Sequence, residues 1–161
     1  MTLYDFSSEI NDNHDWYILD DVVMGGRSNG SFKINEDGHG MFFGTVSLEN
    51  NGGFSSVRYQ FKTKAVGDYT KIKLRIKGDG KTYQFRVKVN SRDDASYVHE
   101  FETTKDWMVV EIPFSELYPN FRGRQLNQPN FEGIHLSEIG FLIGNKKEQS
   151  FELLIDKIGL E

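Results

Sequence analysis

Two stretches of strict polar and apolar alternation in the middle of the chain constrain the fold most. In residues 71–77, Ile72, Leu74 and Ile76 share one face while Lys71, Lys73, Arg75 and Lys77 share the other. That period of two is met by a strand with one buried face. Residues 83–90 repeat it, with Tyr83, Phe85, Val87 and Val89 opposed by Gln84, Arg86, Lys88 and Asn90. Separated by Gly78-Asp79-Gly80, the two are predicted to form a β-hairpin. Further strands are predicted around 30–35, 40–48, 54–62, 96–102, 107–112, 137–144 and 150–159, parted by turn sequences such as Glu36-Asp37-Gly38, Asn51-Gly52-Gly53 and Val66-Gly67-Asp68. Helix is expected only as a short turn at Pro113-Phe114-Ser115-Glu116-Leu117, where proline suits a first turn. Residues 118–133, carrying Pro119 and Pro129, read as an ordered loop across one end of the fold. Many short strands with almost no helix predict an all-β chain, a sandwich or barrel. Without repeats or a linker, residues 1–161 are read as one domain.

Composition narrows the function classes. With 13 Phe and 7 Tyr among 161 residues, the chain has the aromatic content of a folded, strand-rich globule. It has no cysteine, which excludes disulfides, thiolate nucleophiles and cysteine-ligated zinc or iron–sulfur centres. A net charge of -5 argues against nonspecific nucleic-acid binding, which needs a clustered basic surface. The opening M-T-L-Y-D-F-S-S-E-I lacks the basic flank and apolar run of a signal peptide, and no stretch approaches membrane-spanning length. The expectation is a cytoplasmic monomer without a membrane span.

Residues 16–28, W-Y-I-L-D-D-V-V-M-G-G-R-S, and 47–58, S-L-E-N-N-G-G-F-S-S-V-R, each set paired glycines among charged and apolar residues. With Phe43-Gly44, Trp107, Pro113-Phe114, Phe121-Arg122-Gly123-Arg124, Ile139-Gly140-Phe141, Phe151 and Ile155-Asp156, they follow one pattern along almost the whole chain. That pattern resembles the complex I intermediate-associated proteins, whose mitochondrial members help assemble respiratory NADH dehydrogenase. The resemblance implies a jelly-roll β-sandwich similar to galactose-binding domains, and a domain that binds rather than catalyses. Mitochondrial relatives carry an N-terminal targeting extension. This chain opens almost directly at the domain, as a stand-alone bacterial version would.

Residue by residue, the chemistry is sparse. Gly26-Arg27-Ser28-Asn29-Gly30 spells the nucleophile-elbow pattern, but an elbow needs a helix after the serine and Ser31-Phe32-Lys33-Ile34 alternates as a strand. Ser28 is therefore read as a turn serine bonded to its own backbone. Gly78-Asp79-Gly80-Lys81-Thr82 ends like a phosphate-binding loop and is likewise followed by a strand. His14, His39, His99 and His135 lack metal-ligand spacing. Asp20 and Asp21 could supply oxygens to a calcium ion or, more commonly, stabilise a turn. No metal and no cofactor are assigned.

Three binding features follow. The pairs Met24-Gly25-Gly26 and Asn51-Gly52-Gly53 are expected as facing turns, with Arg58 paired to Asp20 or Asp21 behind them; they serve either backbone geometry or a recognition patch with Met24 and Phe54. If Arg58, Gln60 and Lys62 share a face with Lys73, Arg75, Lys77, Arg86 and Lys88, one sheet has a basic outer face. That face either binds an anionic partner, a sugar chain or a client protein, or is merely solvated with Glu100 and Glu102 interleaved. Phe121, Arg122 and Arg124 have the residue types of an interface anchor, although the arginines could instead pair with acids such as Asp20. The reading is a non-enzymatic domain holding a protein partner near the glycine turns and the Phe121-Arg122-Gly123-Arg124 loop. The alternative is a carbohydrate-binding module.

Overall fold

The computed structural model describes residues 1–7, 15–21 and 25–161. Its strands are β1 (Thr2–Asp5), β2 (Trp16–Asp20), β3 (Asn29–Ile34), β4 (Gly40–Val46), β5 (Ser55–Ala65), β6 (Lys71–Lys77), β7 (Thr82–Lys88), β8 (Ser96–Glu102), β9 (Trp107–Pro113), β10 (Tyr118–Phe121), β11 (Arg124–Gln125), β12 (His135–Ile143) and β13 (Gln149–Leu160). They build two antiparallel sheets. One runs β3-β4-β13-β6-β9 with β1 also on β13, and the other runs β11-β10-β8-β7-β12-β5-β2. This is the predicted jelly-roll sandwich. Among the described residues no helix is long and apolar enough to cross a membrane.

Alternation places the core where the sequence put it. Ile72, Leu74 and Ile76 of β6 and Phe85 and Val87 of β7 are at most 1% exposed and meet Val57, Ile139, Phe141, Leu153 and Ile155 between the sheets. At one edge Trp16 is stacked between Phe32 and Tyr59, at centroid distances of 5.7 and 5.4 Å, with Tyr4 edge-on at 5.5 Å. Burial of such rings supplies a large share of a domain's hydrophobic stabilisation.

Three expectations change. β6 and β7 are not a hairpin: β6 pairs with β13 and β9, whereas β7 pairs with β12 and β8 in the other sheet. The link between them crosses the sandwich, and it does so tightly, since a Cβ on Gly78 would lie 2.1 Å from the Thr103 side chain. The basic residues therefore divide between two outer faces, with Lys73, Arg75 and Lys77 on one sheet and Arg58, Gln60, Lys62, Arg86 and Lys88 on the other. Finally, the expected loop at 118–133 contains the hairpin β10–β11, while the helical turn narrows to Phe114–Glu116.

Candidate functional site

The two glycine-bearing segments meet on one carboxylate. Asp21 lies just past the end of β2 and is fully buried. Its Oδ1 accepts the Ser28 N–H at 2.9 Å, and its Oδ2 accepts the Ser28 hydroxyl at 2.6 Å, Gly53 N–H at 2.6 Å and Phe54 N–H at 3.2 Å. Burial pushes its pKa up, but the Ser28 hydroxyl and the amides of Gly53, Ser28 and Phe54 outweigh it and hold the carboxyl below its usual range. The glycines are there for room. A Cβ on Gly26 would stand 2.4 Å from Asp21 Cγ, and one on Gly52 would stand 2.5 Å from Asp21 Oδ2.

Asp20 repeats the arrangement at smaller scale, accepting Gly30 N–H at 2.8 Å and the Ser55 hydroxyl. Both acids thus face hydrogen-bond donors, which is turn stabilisation rather than a cation cage. Ser28 is 2% exposed; its hydroxyl donates to Asp21 and accepts Ser47 N–H at 3.0 Å. It braces the turns by bonding to Asp21 and to Ser47, just past the end of β4, rather than to its own backbone. Beside this brace Leu48, Gly52, Gly53, Phe54, Gly144 and Lys146 line a depression of about 420 Å³.

A second constellation lies on the outward face of the seven-stranded sheet. Its key is an irregularity in the β12–β5 pairing: between Leu136 and Glu138 two steps on β12 face four on β5, from Lys64 to Gln60, and Leu136 and Ile139 both lie in the core while Glu138 points out. Glu138 is only 4% exposed yet polar and ringed by donors. Its Oε1 accepts Gln60 Nε2–H at 2.8 Å and the Tyr17 hydroxyl at 3.2 Å, and Arg58 Nη1 stands 3.9 Å from its Oε2. Burial, then the Glu138 charge and hydrogen bond, push the Tyr17 phenol up to about 12 against the opposing Arg58 charge.

Cross-strand register sets these groups in rows. Tyr17 is opposite Arg58, Arg58 opposite Gly140, Gly140 opposite Arg86, Arg86 opposite Val98 and Val98 opposite Tyr118. The adjacent row runs Gln60, Glu138, Lys88. Arg86 Nη1 donates to Gln84 Oε1 at 2.8 Å, Lys88 Nζ donates to the Asp93 carbonyl at 2.7 Å, and the Tyr118 hydroxyl donates to Glu100 Oε1 at 3.4 Å. Burial first and the Arg58 charge second pull Arg86 down to about 10. The arrangement is a shielded row of donors with a tyrosine at either end, suited to holding a polar ligand.

Residues 4–155 match the family model described as Complex I intermediate-associated protein 30. The chain belongs to this family. A curated relative is the mitochondrial Complex I intermediate-associated protein 30 of Mus musculus, 27% identical over 172 residues, covering 90% of this chain and 51% of the mouse protein. The chain thus spans about half the length of that relative. Among solved structures, the family 11 carbohydrate-binding module of the cellulase Lic26A-Cel5E of Clostridium thermocellum superposes with a TM-score of 0.70 at 20% identity, covering 99% of this chain and 92% of the module. The Clostridium thermocellum family 11 module in complex with a β-1,3-1,4-mixed-linked tetrasaccharide gives 0.67 at 20% identity, covering 99% and 93%. At that identity the likeness speaks to the fold.

Within this member of the Complex I intermediate-associated protein 30 family, the sequence-predicted residues separate. Asp21, Gly26, Ser28, Gly52, Gly53 and Phe54 converge on the Asp21 brace, with Asn51 in the turn Glu49–Asn51; Asp20 lies beside it on Gly30 and Ser55, and Gly25, with φ of 90°, has open space where a Cβ would stand; Met24 and the Asn51 side chain lie outside the described residues. Arg58 does not pair with Asp20 or Asp21; it faces Glu138 one strand over. Phe121, Arg122 and Arg124 sit on the β10–β11 hairpin, whose central Arg122 and Gly123 have φ of 50° and 80°, as a two-residue primed turn requires. The Arg122 guanidinium lies over the Phe121 ring at 5.3 Å rather than on an acid of the glycine turns.

That hairpin and the glycine turns occupy opposite corners of the sheet. β10 and β2 are separated by four strands, and Asp20 is level with Ser55 and Ile143 whereas Asn120 is level with Ser96 at the other end. Glu138, Tyr17, Gln84 and Tyr118 escaped sequence reasoning as site residues. A signal did exist: Ser137 and Glu138 interrupt the apolar run of β12, whose residues from Leu136 to Ile143 are all buried.

Proposed function

We propose that this chain is a non-catalytic binding domain of the assembly-factor type, and that it holds a protein partner on the outward face of the seven-stranded sheet. The observation that carries this reading is the Glu138 network. A carboxylate 4% exposed, fixed by Gln60, Tyr17 and Arg58 and placed outward by an irregularity in strand pairing, is arranged in advance on a face that the core does not need. Pre-ordered polar groups lower the entropic penalty of association. Family membership supports a protein as partner. The glycine segments serve as the brace that holds β2 and β5 at one end of this face, and the Phe121–Arg124 hairpin is a separate, exposed corner.

The test is a pull-down from a lysate of the source cells with three baits: the unaltered chain, Tyr17→Ala with Arg58→Ala, and Arg122→Ala with Arg124→Ala. The face reading expects specific proteins with the first and third baits and their loss with the second. Loss with the third alone would move the interface to the hairpin and overturn it.

A second reading is favoured by Tyr17, which is 38% exposed, standing in one row with Arg58, Arg86 and Tyr118. Aromatic bodies flanking hydrogen-bond donors are also what a sugar chain needs, and the related fold occurs in carbohydrate-binding modules. Binding to a glycan array that Tyr17→Ala abolishes, without captured proteins, would establish that reading instead.

A further inference from the structure

We infer that Arg86, with Arg58 and Lys88 beside it, forms a seat for a carboxylate, and that its occupant is an aspartate or glutamate of an acidic polypeptide segment. This rests on the reading of the outward face as a protein-binding surface and names the chemistry recognised there. Three cations occupy adjacent positions, Arg58 and Arg86 on either side of Gly140 and Lys88 opposite Glu138. Two carboxylates act on them: Asp93 on Lys88, and Glu138, which is already engaged by Gln60, Tyr17 and Arg58. Among the described residues Arg86 and Lys88 make no ion pair; their bonds go to the Gln84 side chain and the Asp93 carbonyl. The nearby acid Glu100 accepts from Tyr118.

The other sheet shows how this chain treats cations in a solvated face. There Lys71 and Lys73 share Glu111 and Glu161, and Arg75 sits 3.0 Å from Asp156. Among the described residues Arg86 makes no such ion pair, although the Glu138 charge acts on it. Its guanidinium spends Nη1 on Gln84, while Nε is sealed from solvent and has no partner among the described residues. Nε and Nη2 form the remaining edge, two parallel N–H groups spaced for the two oxygens of a carboxylate. Meeting that edge requires neighbouring side chains to turn aside, a rotamer change common at interfaces. Burial and mutual repulsion lower the pKa values of both Arg86 and Lys88, so an incoming anion relieves an electrostatic penalty already present in the fold. A carboxylate received between the bodies of Tyr17 and Tyr118 suits the side chain of a polypeptide aspartate or glutamate, whose methylene groups pack on those rings.

The experiment uses the full chain and observes the arginine Nε–H resonances by NMR while hexaglutamate is added at fixed ionic strength, with hexalysine and hexagalacturonate as parallel titrants. A saturable shift of the Arg86 resonance with hexaglutamate, and a loss of affinity of about tenfold or more in Arg86→Gln, are expected. Lys88→Gln should weaken the same binding while leaving the unfolding midpoint close to that of the unaltered chain, which keeps the test open should Arg86→Gln fold poorly. No saturable shift with hexaglutamate overturns the site. Tighter binding of hexagalacturonate than hexaglutamate overturns the polypeptide occupant. If the pull-down captures face-dependent partners while hexaglutamate leaves Arg86 unmoved, this inference fails and the protein-binding reading stands. If hexaglutamate binds at Arg86 and no protein depends on the face, the protein-binding reading fails.

Discussion

Replacing Asp21 by alanine removes one side chain from a point where four donors converge. Ser28 N–H, Ser28 hydroxyl, Gly53 N–H and Phe54 N–H all end on its oxygens, between 2.6 and 3.2 Å away. A buried donor left unsatisfied costs about 1–3 kcal/mol, and the bonds to a charged acceptor are the stronger kind. The Gly53 and Phe54 bonds are only part-buried, so water recovers some of the loss. A net destabilisation of about 3–5 kcal/mol follows. For a chain of this length that corresponds to a fall in melting temperature of roughly 6–20 °C. Asp21→Asn retains one acceptor, so its better orientation keeps Oδ2 and sets the amide against Ser28 N–H, for about 2–3 kcal/mol. Urea unfolding followed by fluorescence, with equal slopes in all variants, measures both. The pH dependence has a fixed sign. Because the folded carboxyl lies below its ordinary value of 3.8, its contribution is present above that value and fades as pH falls through the lowered one. An Asp21→Ala protein within about 1 kcal/mol of the unaltered chain would refute the brace, since that is less than one unsatisfied donor.

Four other outcomes are expected. Gly52→Ala should destabilise by about 1–3 kcal/mol through its contact with Asp21 Oδ2, and the effect should shrink in an Asp21→Ala background, as a double-mutant cycle in urea would show. Trp16→Ala should lose about 3–5 kcal/mol by thermal or chemical unfolding, because the ring fills the space between Phe32 and Tyr59. In alkaline titration followed by phenolate absorbance, Tyr17 should ionise near 12 and shift back toward 10 in Glu138→Gln; because its folded pKa is raised, its contribution to stability is complete below pH 10 and lost between 10 and 12. Arg122→Ala with Arg124→Ala should change stability by less than about 0.5 kcal/mol, since both side chains are exposed.

Strands were legible because period-two alternation is a local signal, and Ile72, Leu74 and Ile76 point inward as that pattern demands. Pairing was not. Alternation says which side of a strand is buried but not which neighbour it meets, and the β6–β7 link has a turn composition that serves a hairpin or a crossing equally well. What decides is non-local: Gly78 must pass against Thr103, twenty-five residues on. The same limit hid the Glu138 network, whose partners Gln60 and Tyr17 are 78 and 121 residues away. An irregularity in strand pairing reverses the face on which an acid appears, and a short slip of register leaves little trace in composition. The glycine turns do face each other, with Gly26 on one side of Asp21 and Gly52 and Gly53 on the other. Arg58 shares a motif with the glycine turns but not their space, because β5 carries it along to face Glu138 on β12.

The Asp21 brace also bears on the order in which the chain assembles. Its bonds span 7 residues to Ser28 but 32 and 33 to Gly53 and Phe54, so they cannot close until β2 and β5 lie side by side. We expect that contact to form after the barrier, so that its loss falls on the unfolding rate rather than the folding rate. Stopped-flow measurements on Asp21→Asn should therefore show faster unfolding with refolding little changed. With that result the glycine-bearing segments that mark the family would be a latch, setting how long the folded domain persists and contributing little to how quickly it forms.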